Sequence, residues 1–130
     1  MDYNDKAGTV IGLDLNGFYL LGVLADLGGD FLHRVEMPGS PTRDARDNLD
    51  RVYQLVTSLL NAEPHVADSL RGIGVASPSV TLNPEGIVVL SAALGWRNMP
   101  LKSFLEERFA YPVFVQNESD LGALAEWMWG

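Results

Sequence analysis

The stretch TVIGLDLNGFYLLGVLADLGGDFLHRVEM, Thr9 to Met37, decides the fold. Its β-branched and apolar residues fall into three runs cut by two short turn signals, Asn16-Gly17 and Gly28-Gly29. Asn-Gly between apolar runs favours a type I′ hairpin, because both central residues of that turn need positive φ. The spacing predicts strands over Thr9 to Leu15, Phe18 to Asp26 and Phe31 to Met37, an antiparallel meander. In the third strand, Phe31, His33, Val35 and Met37 share one face, and Leu32, Arg34 and Glu36 the other.

Downstream of the meander the period changes. Ser40 before Pro41 suits a helix N-cap with proline at the first helical position. Leu49, Val52, Tyr53, Val56, Leu59 and Leu60 then recur at helical spacing, with Pro64 as the stop. Leu70 to Ala76 is a short, almost wholly apolar run containing Gly72 and Gly74, which predicts a parallel strand buried on both faces. Residues 78–98 are rich in turn formers. There Val80 to Leu82 is expected to pair with Ile87 to Leu90 across Asn83-Pro84-Glu85-Gly86. Pro100 opens a second helix with Leu101, Phe104, Leu105 and Phe109 on one face, halted by Tyr111-Pro112. Val113 to Gln116 reads as the last strand. Asn117 caps a third helix with Leu121, Leu124, Ala125 and Met128 along its apolar stripe.

A chain of 130 residues is one domain or part of one. With 47% apolar and 20% charged residues it can bury a core, so global disorder is excluded. Nine basic against seventeen acidic side chains give a net charge of −8, and the basic residues are scattered. That field repels phosphate backbones and anionic lipid, so neither DNA nor membrane is an expected partner of this segment. The absence of cysteine excludes a disulfide framework and a thiolate metal site. Met1 to Gly8 lack the apolar core of a signal peptide, and no apolar run approaches a membrane span, so a cytoplasmic protein is expected. Trp127 and Trp129 at the end of the last helix have little sequence after them to cover them. This predicts a lobe of something longer, or self-association.

Four stretches can carry chemistry, each beside a plainer reading. Asp14, Asn16 and Gly17 stand at a strand end and turn, where a carboxylate can hold hydrated magnesium and turn amides can cradle phosphate. A simple hairpin explains the same residues. Gln116-Asn117-Glu118-Ser119-Asp120 joins a strand's carboxyl end to a helix start, where ligands gather in open α/β sheets and a carboxylate can take a hydroxyl proton. Helix capping and dipole complementation explain them equally well. Gly74 to Ser79 lets backbone approach a ligand, or merely turns the chain. In Leu94-Gly95-Trp96-Arg97 the indole either stacks on a sugar or plugs the hairpin base, and packing is the favoured use. His33 and His65 have no partners at metal spacing.

Together these stretches resemble the N-terminal lobe of the ROK family, which groups sugar kinases with transcriptional repressors of the xylose and N-acetylglucosamine type. The resemblance runs from Thr9 to Gly130. Its most specific part is Leu90-Ser91-Ala92-Ala93-Leu94-Gly95-Trp96-Arg97-Asn98-Met99-Pro100-Leu101, followed by Leu105 to Phe109, Tyr111-Pro112-Val113 and the Asn117 segment. It implies an α/β fold, the ribonuclease-H-like lobe of the actin-type ATPase fold. That lobe has a mixed five-stranded sheet (a three-strand antiparallel meander plus two parallel strands), three helices and a small β-hairpin excursion. Residues 9–130 would form the lobe, and residues 1–8 a disordered or artificial N-terminus.

The resemblance also implies site residues. In the family the first turn faces ATP phosphates, and later loops bind a sugar whose hydroxyl is deprotonated by an aspartate. Kinases carry Asp-x-Gly-Gly-Thr in that turn, whereas here Asn16-Gly17-Phe18 replaces its last three residues, deleting a hydroxyl and inserting a ring. The usual Glu-Asn-Asp stands as Gln116-Asn117-Glu118, which makes the expected base one methylene longer. Ala93 takes the place of a sugar-contacting asparagine, and Ser79 that of a glycine.

The implied function is the sugar-effector-binding or oligomerisation lobe of a ROK-type regulator, without kinase activity. A sugar or sugar phosphate would lie against Ser79, Ala93, Asn117 and Glu118, with Trp96 adding shape. Two alternatives stand: a sugar kinase lobe using ATP and magnesium, with Glu118 as base and Asp14, Asn16 and Gly17 at the phosphates, or a purely structural self-association module. No metal is expected in this chain, and the family's zinc cluster would lie outside it. DNA would be bound only through an upstream domain, and a homo-oligomer is expected.

Overall fold

The computed structural model describes residues 8–16, 18–63, 65–77, 80–82 and 85–117. The meander forms β1 (Thr9–Leu15), β2 (Tyr19–Asp26) and β3 (Phe31–Pro38), and the later parallel strands are β4 (Leu70–Ala76) and β8 (Val113–Gln116). The five-stranded sheet has the order β3-β2-β1-β4-β8. β2 runs antiparallel to both of its neighbours, whereas β1, β4 and β8 are parallel. A second sheet joins β5 (Val80–Leu82), β6 (Ile87–Ser91) and β7 (Trp96–Met99) in that order. The helices are α1 (Ala45–Leu60), the single turn α2 (Val66–Ser69) and α3 (Leu101–Phe109). The expected third helix, with Trp127 and Trp129, lies outside the described residues, as do residues 1–7, Pro64 and Asn83-Pro84 of the expected hairpin turn. No helix among the described residues is long and apolar enough to cross a membrane.

One face of the large sheet and the buried faces of α1 and α3 make the core. Ile11, Leu13 and Leu15 on β1 join Leu20 and Leu24 on β2, Ile73 and Val75 on β4, and Val113 and Val115 on β8. Val52, Leu55, Val56 and Leu59 of α1 and Leu101 and Leu105 of α3 belong to the same cluster. Close approach of α1 requires Gly22, where a Cβ would stand 2.6 Å from Leu59 Cδ1 and 3.1 Å from Leu55 Cγ. The sequence stripe omitted Leu55 and included Tyr53. Leu55 is fully buried, while Tyr53 is 42% exposed, its ring set against Phe109 of α3 at 5.1 Å between centroids.

Three local expectations need correction. Helix α1 does not begin at Ser40-Pro41. Its N-cap is Asp44, whose Oδ1 accepts the Asp47 N–H at 2.8 Å. Ser40 is instead buried in the preceding loop, where its Oγ accepts the Asp44 N–H at 3.1 Å, and Arg43 adopts a positive φ of 55° that no helix tolerates. The first reversal is not a two-residue turn, because Leu15 pairs with Leu20 and four residues lie between them. The excursion is three strands rather than two, since β7 pairs with β6 through Val88 opposite Met99, Leu90 opposite Arg97 and Ser91 opposite Trp96. Arg97 and Asn98 hide that strand from an apolarity reading.

Candidate functional site

Parallel pairing sets the carboxyl ends of β1, β4 and β8 side by side. Asp14 stands opposite Ala76, and Ala76 opposite Gln116, so three strands finish on one rim. The Ser77 N–H donates to the Gln116 carbonyl at 3.0 Å, which extends the β4–β8 ladder one step past the strands. Strand spacing of about 4.8 Å makes the rim from β1 to β8 about 10 Å wide. Asp14 alternates with the core residues Leu13 and Leu15, so it belongs to the opposite face, where its neighbours across β4 are the small residues Gly74 and Ala76. It is half-buried, Ser77 is fully buried, and Asn117 is exposed just beyond β8. Of the expected site residues, Gly17, Ser79 and Glu118 lie outside the described residues.

At the β1 end, the Asn16 carboxamide closes the turn on itself. Its Oδ1 accepts the Phe18 N–H at 2.9 Å and the Tyr19 N–H at 3.1 Å. This is the local bonding for which asparagine is favoured in turns. A phosphate cradle needs convergent backbone N–H groups left for the anion, and here two of them are already satisfied. The Phe18 ring beside them is 87% exposed. Among the described residues of the turn, the Phe18 and Tyr19 amides are thus bound to the chain's own carboxamide.

Ala93 is half-buried in the turn Ala92–Gly95 between β6 and β7 of the small sheet. That turn is fastened to the start of α1. Asn48 of α1, 0% exposed, accepts the Ser40 N–H on Oδ1 at 2.9 Å and donates from Nδ2 to the Leu94 carbonyl at 3.0 Å. Trp96 is 1% exposed, and its Nε1 donates to the Ala45 carbonyl at 3.1 Å. The indole thus supports the turn from behind, the packing use that the sequence favours, and offers no ring face to a sugar. Asn48 escaped the sequence reading. Its signal was present, since it lies four residues before the buried Val52 on the same helical face, a polar residue where packing calls for an apolar one.

His33 and His65 are both exposed. Among the described residues no three His, Cys, Asp or Glu side chains gather as a metal site.

The family model described as ROK family matches residues 10–130. This chain belongs to the ROK family. A xylose repressor of Bacillus spizizenii is 33% identical over 132 residues, a match covering 98% of this chain and 33% of the relative. A glucokinase of Halalkalibacterium halodurans is 26% identical over 119 residues, covering 92% of this chain and 36% of the relative. The ROK lobe spans about a third of the length of these curated relatives. In three dimensions it matches a ROK family glucokinase from Streptomyces griseus, solved with glucose and AMPPNP, at a TM-score of 0.77. That match has 23% identity and covers 95% of this chain and 37% of the other, so it speaks to the fold. The ROK fold accounts for the rim, because the parallel central strands of its mixed sheet finish side by side at their carboxyl ends.

Proposed function

We propose that this chain is the first lobe of the sugar-effector-binding or oligomerisation region of a ROK-type transcriptional regulator, and that it transfers no phosphoryl group. The observation that carries the reading is the Asn16 carboxamide, which occupies the Phe18 and Tyr19 amides of the turn where a kinase would grip phosphate. Identities of 28 to 33% to xylose repressors over 98% or more of the chain support it. The effector is a pentose or hexose, free or phosphorylated, lying at the carboxyl ends of β4 and β8 against Ser79, Ala93, Asn117 and Glu118. Hydroxyl groups on a rim about 10 Å wide suit one sugar ring. Glu118 then accepts a hydrogen bond from the sugar and abstracts no proton. In the whole protein, DNA would be held by a segment upstream of this lobe, and copies would associate.

The rival reading is a sugar kinase, favoured by the half-buried Asp14 at the end of β1 and by the glucokinase similarity. Calorimetric titration of the full gene product with D-xylose, D-glucose and their phosphates, beside an ADP-release assay with the same sugars, separates the two. Saturable sugar binding without ADP release is the expected result. Sugar-dependent ADP release would overturn it in favour of the kinase, and silence in both assays would leave the structural module.

A further inference from the structure

The turn that carries Ala93 closes the β6–β7 hairpin but is only weakly bonded within itself. Within it, Gly95 N–H reaches the Ala92 carbonyl at 3.3 Å and Leu94 N–H reaches Ser91 Oγ at 3.3 Å, both long bonds. Its fixed points come from the loop and helix start some 50 residues earlier. Asn48 Nδ2 holds the Leu94 carbonyl, the Trp96 indole holds the Ala45 carbonyl, and Gly95 lies against the Arg43 backbone so closely that a Cβ would overlap the carbonyl oxygen. Asn48 is the member that ties both sides together, because the same carboxamide also takes the Ser40 N–H. Fully buried, it has no route to a ligand.

Resting on the effector reading above, we propose that Asn48 is the positioning residue of the effector site. It holds the Ala92–Gly95 turn in register, so that sugar affinity as well as stability depends on it. A displacement of about 1 Å in a contacting loop is enough to weaken recognition severely. The carboxamide is matched to the task, since one end must accept and the other must donate.

Asn48→Asp tests this. The introduced carboxyl keeps the shape and the acceptor for Ser40, but when ionised it turns an oxygen toward the Leu94 carbonyl and repels it. Burial disfavours the charged form and raises the carboxyl pKa. As the pH falls, the protonated acid regains a donor for Leu94 and the turn returns. D-xylose and D-glucose are titrated into full-length wild type and variant by calorimetry, well below both melting temperatures, at about pH 8 and about pH 5.5.

The affinity ratio of variant to wild type is expected to fall about tenfold at the higher pH and to recover to within about threefold at the lower. An unchanged ratio at both pH values, with only the melting temperature lowered, would make Asn48 a purely structural residue and overturn the proposal. If Asn48→Asp does not fold, Trp96→Phe decides. It keeps the ring and deletes the Nε1 donor, and about threefold weaker sugar binding is expected, whereas unchanged binding rejects the idea. If wild type itself binds neither sugar, the effector reading falls and takes this proposal with it.

Discussion

Gly95→Ala should destabilise this protein far more than its exposed turn position suggests. Gly95 has a φ of 73°, and placing an L-residue in the left-handed region costs about 1 to 2 kcal/mol. Its second burden is steric. A Cβ would overlap the Arg43 carbonyl oxygen and stand 3.1 Å from the Arg43 carbonyl carbon and 3.2 Å from the Ala45 nitrogen, all backbone atoms that cannot rotate away. The turn must therefore lift from the start of α1, which stretches the Asn48–Leu94 and Trp96–Ala45 hydrogen bonds. Leaving a buried polar group unsatisfied costs about 1 to 3 kcal/mol, so the total reaches about 2 to 5 kcal/mol. Against a native stability of about 5 to 15 kcal/mol, that is a large fraction. Gly29→Ala is the control, because Gly29 also has positive φ, at 97°, but a Cβ there meets nothing within 4 Å. Urea titration followed by tryptophan fluorescence, with Trp96 as a buried reporter, gives both values. If Gly95→Ala and Gly29→Ala agree within about 1 kcal/mol, the close approach contributes nothing and the clamp argument is refuted.

Leu59→Ala removes a fully buried side chain and should cost about 2 to 5 kcal/mol. Gly22→Ala pushes a methyl toward Leu59 Cδ1 and should cost about 1 to 3 kcal/mol, yet the double variant should be less destabilised than the sum, as denaturant midpoints would reveal. Asp44→Ala should lower stability by about 1 kcal/mol and Asp44→Asn by much less, since the carboxamide can still cap Asp47; equal thermal melts for the two would contradict the cap assignment. Asn16→Ala should speed hydrogen exchange at the Phe18 and Tyr19 amides and lower stability by about 1 kcal/mol, and unchanged exchange would mean that Asn16 does not close the turn.

Most of the architecture was legible because it rests on local pattern. β1, β4, β8 and the hairpin pairing of β5 with β6 follow from apolar runs bounded by turn formers, and the order of elements follows from where period two gives way to period 3.6. Errors arose where a local signal competed with a distant partner. Ser40-Pro41 is a sound capping signal in isolation, but Asn48 claims the Ser40 backbone and the buried hydroxyl is used within the loop, so the helix waits for Asp44. Asn16-Gly17 suits a tight hairpin, yet register with Leu20 lengthens the turn and gives the carboxamide two amides to hold.

The candidate site divides in the same way. Residue types alone identified the strand ends carrying Asp14, Asn16 and Asn117, because ligand-facing rims in α/β sheets occur where parallel strands finish. The departures from a kinase pattern at Asn16, Phe18, Ala93 and Glu118 came instead from the resemblance to the ROK family. Only the folded chain decided that Asp14, Ala76 and Gln116 share one rim, that Trp96 faces inward, and that Asn48 fastens a turn 46 residues away. Periodicity reports which side of an element is apolar, a property of neighbours along the chain. A hydrogen bond between a helix start and a distant turn depends on register and packing that no window of sequence contains.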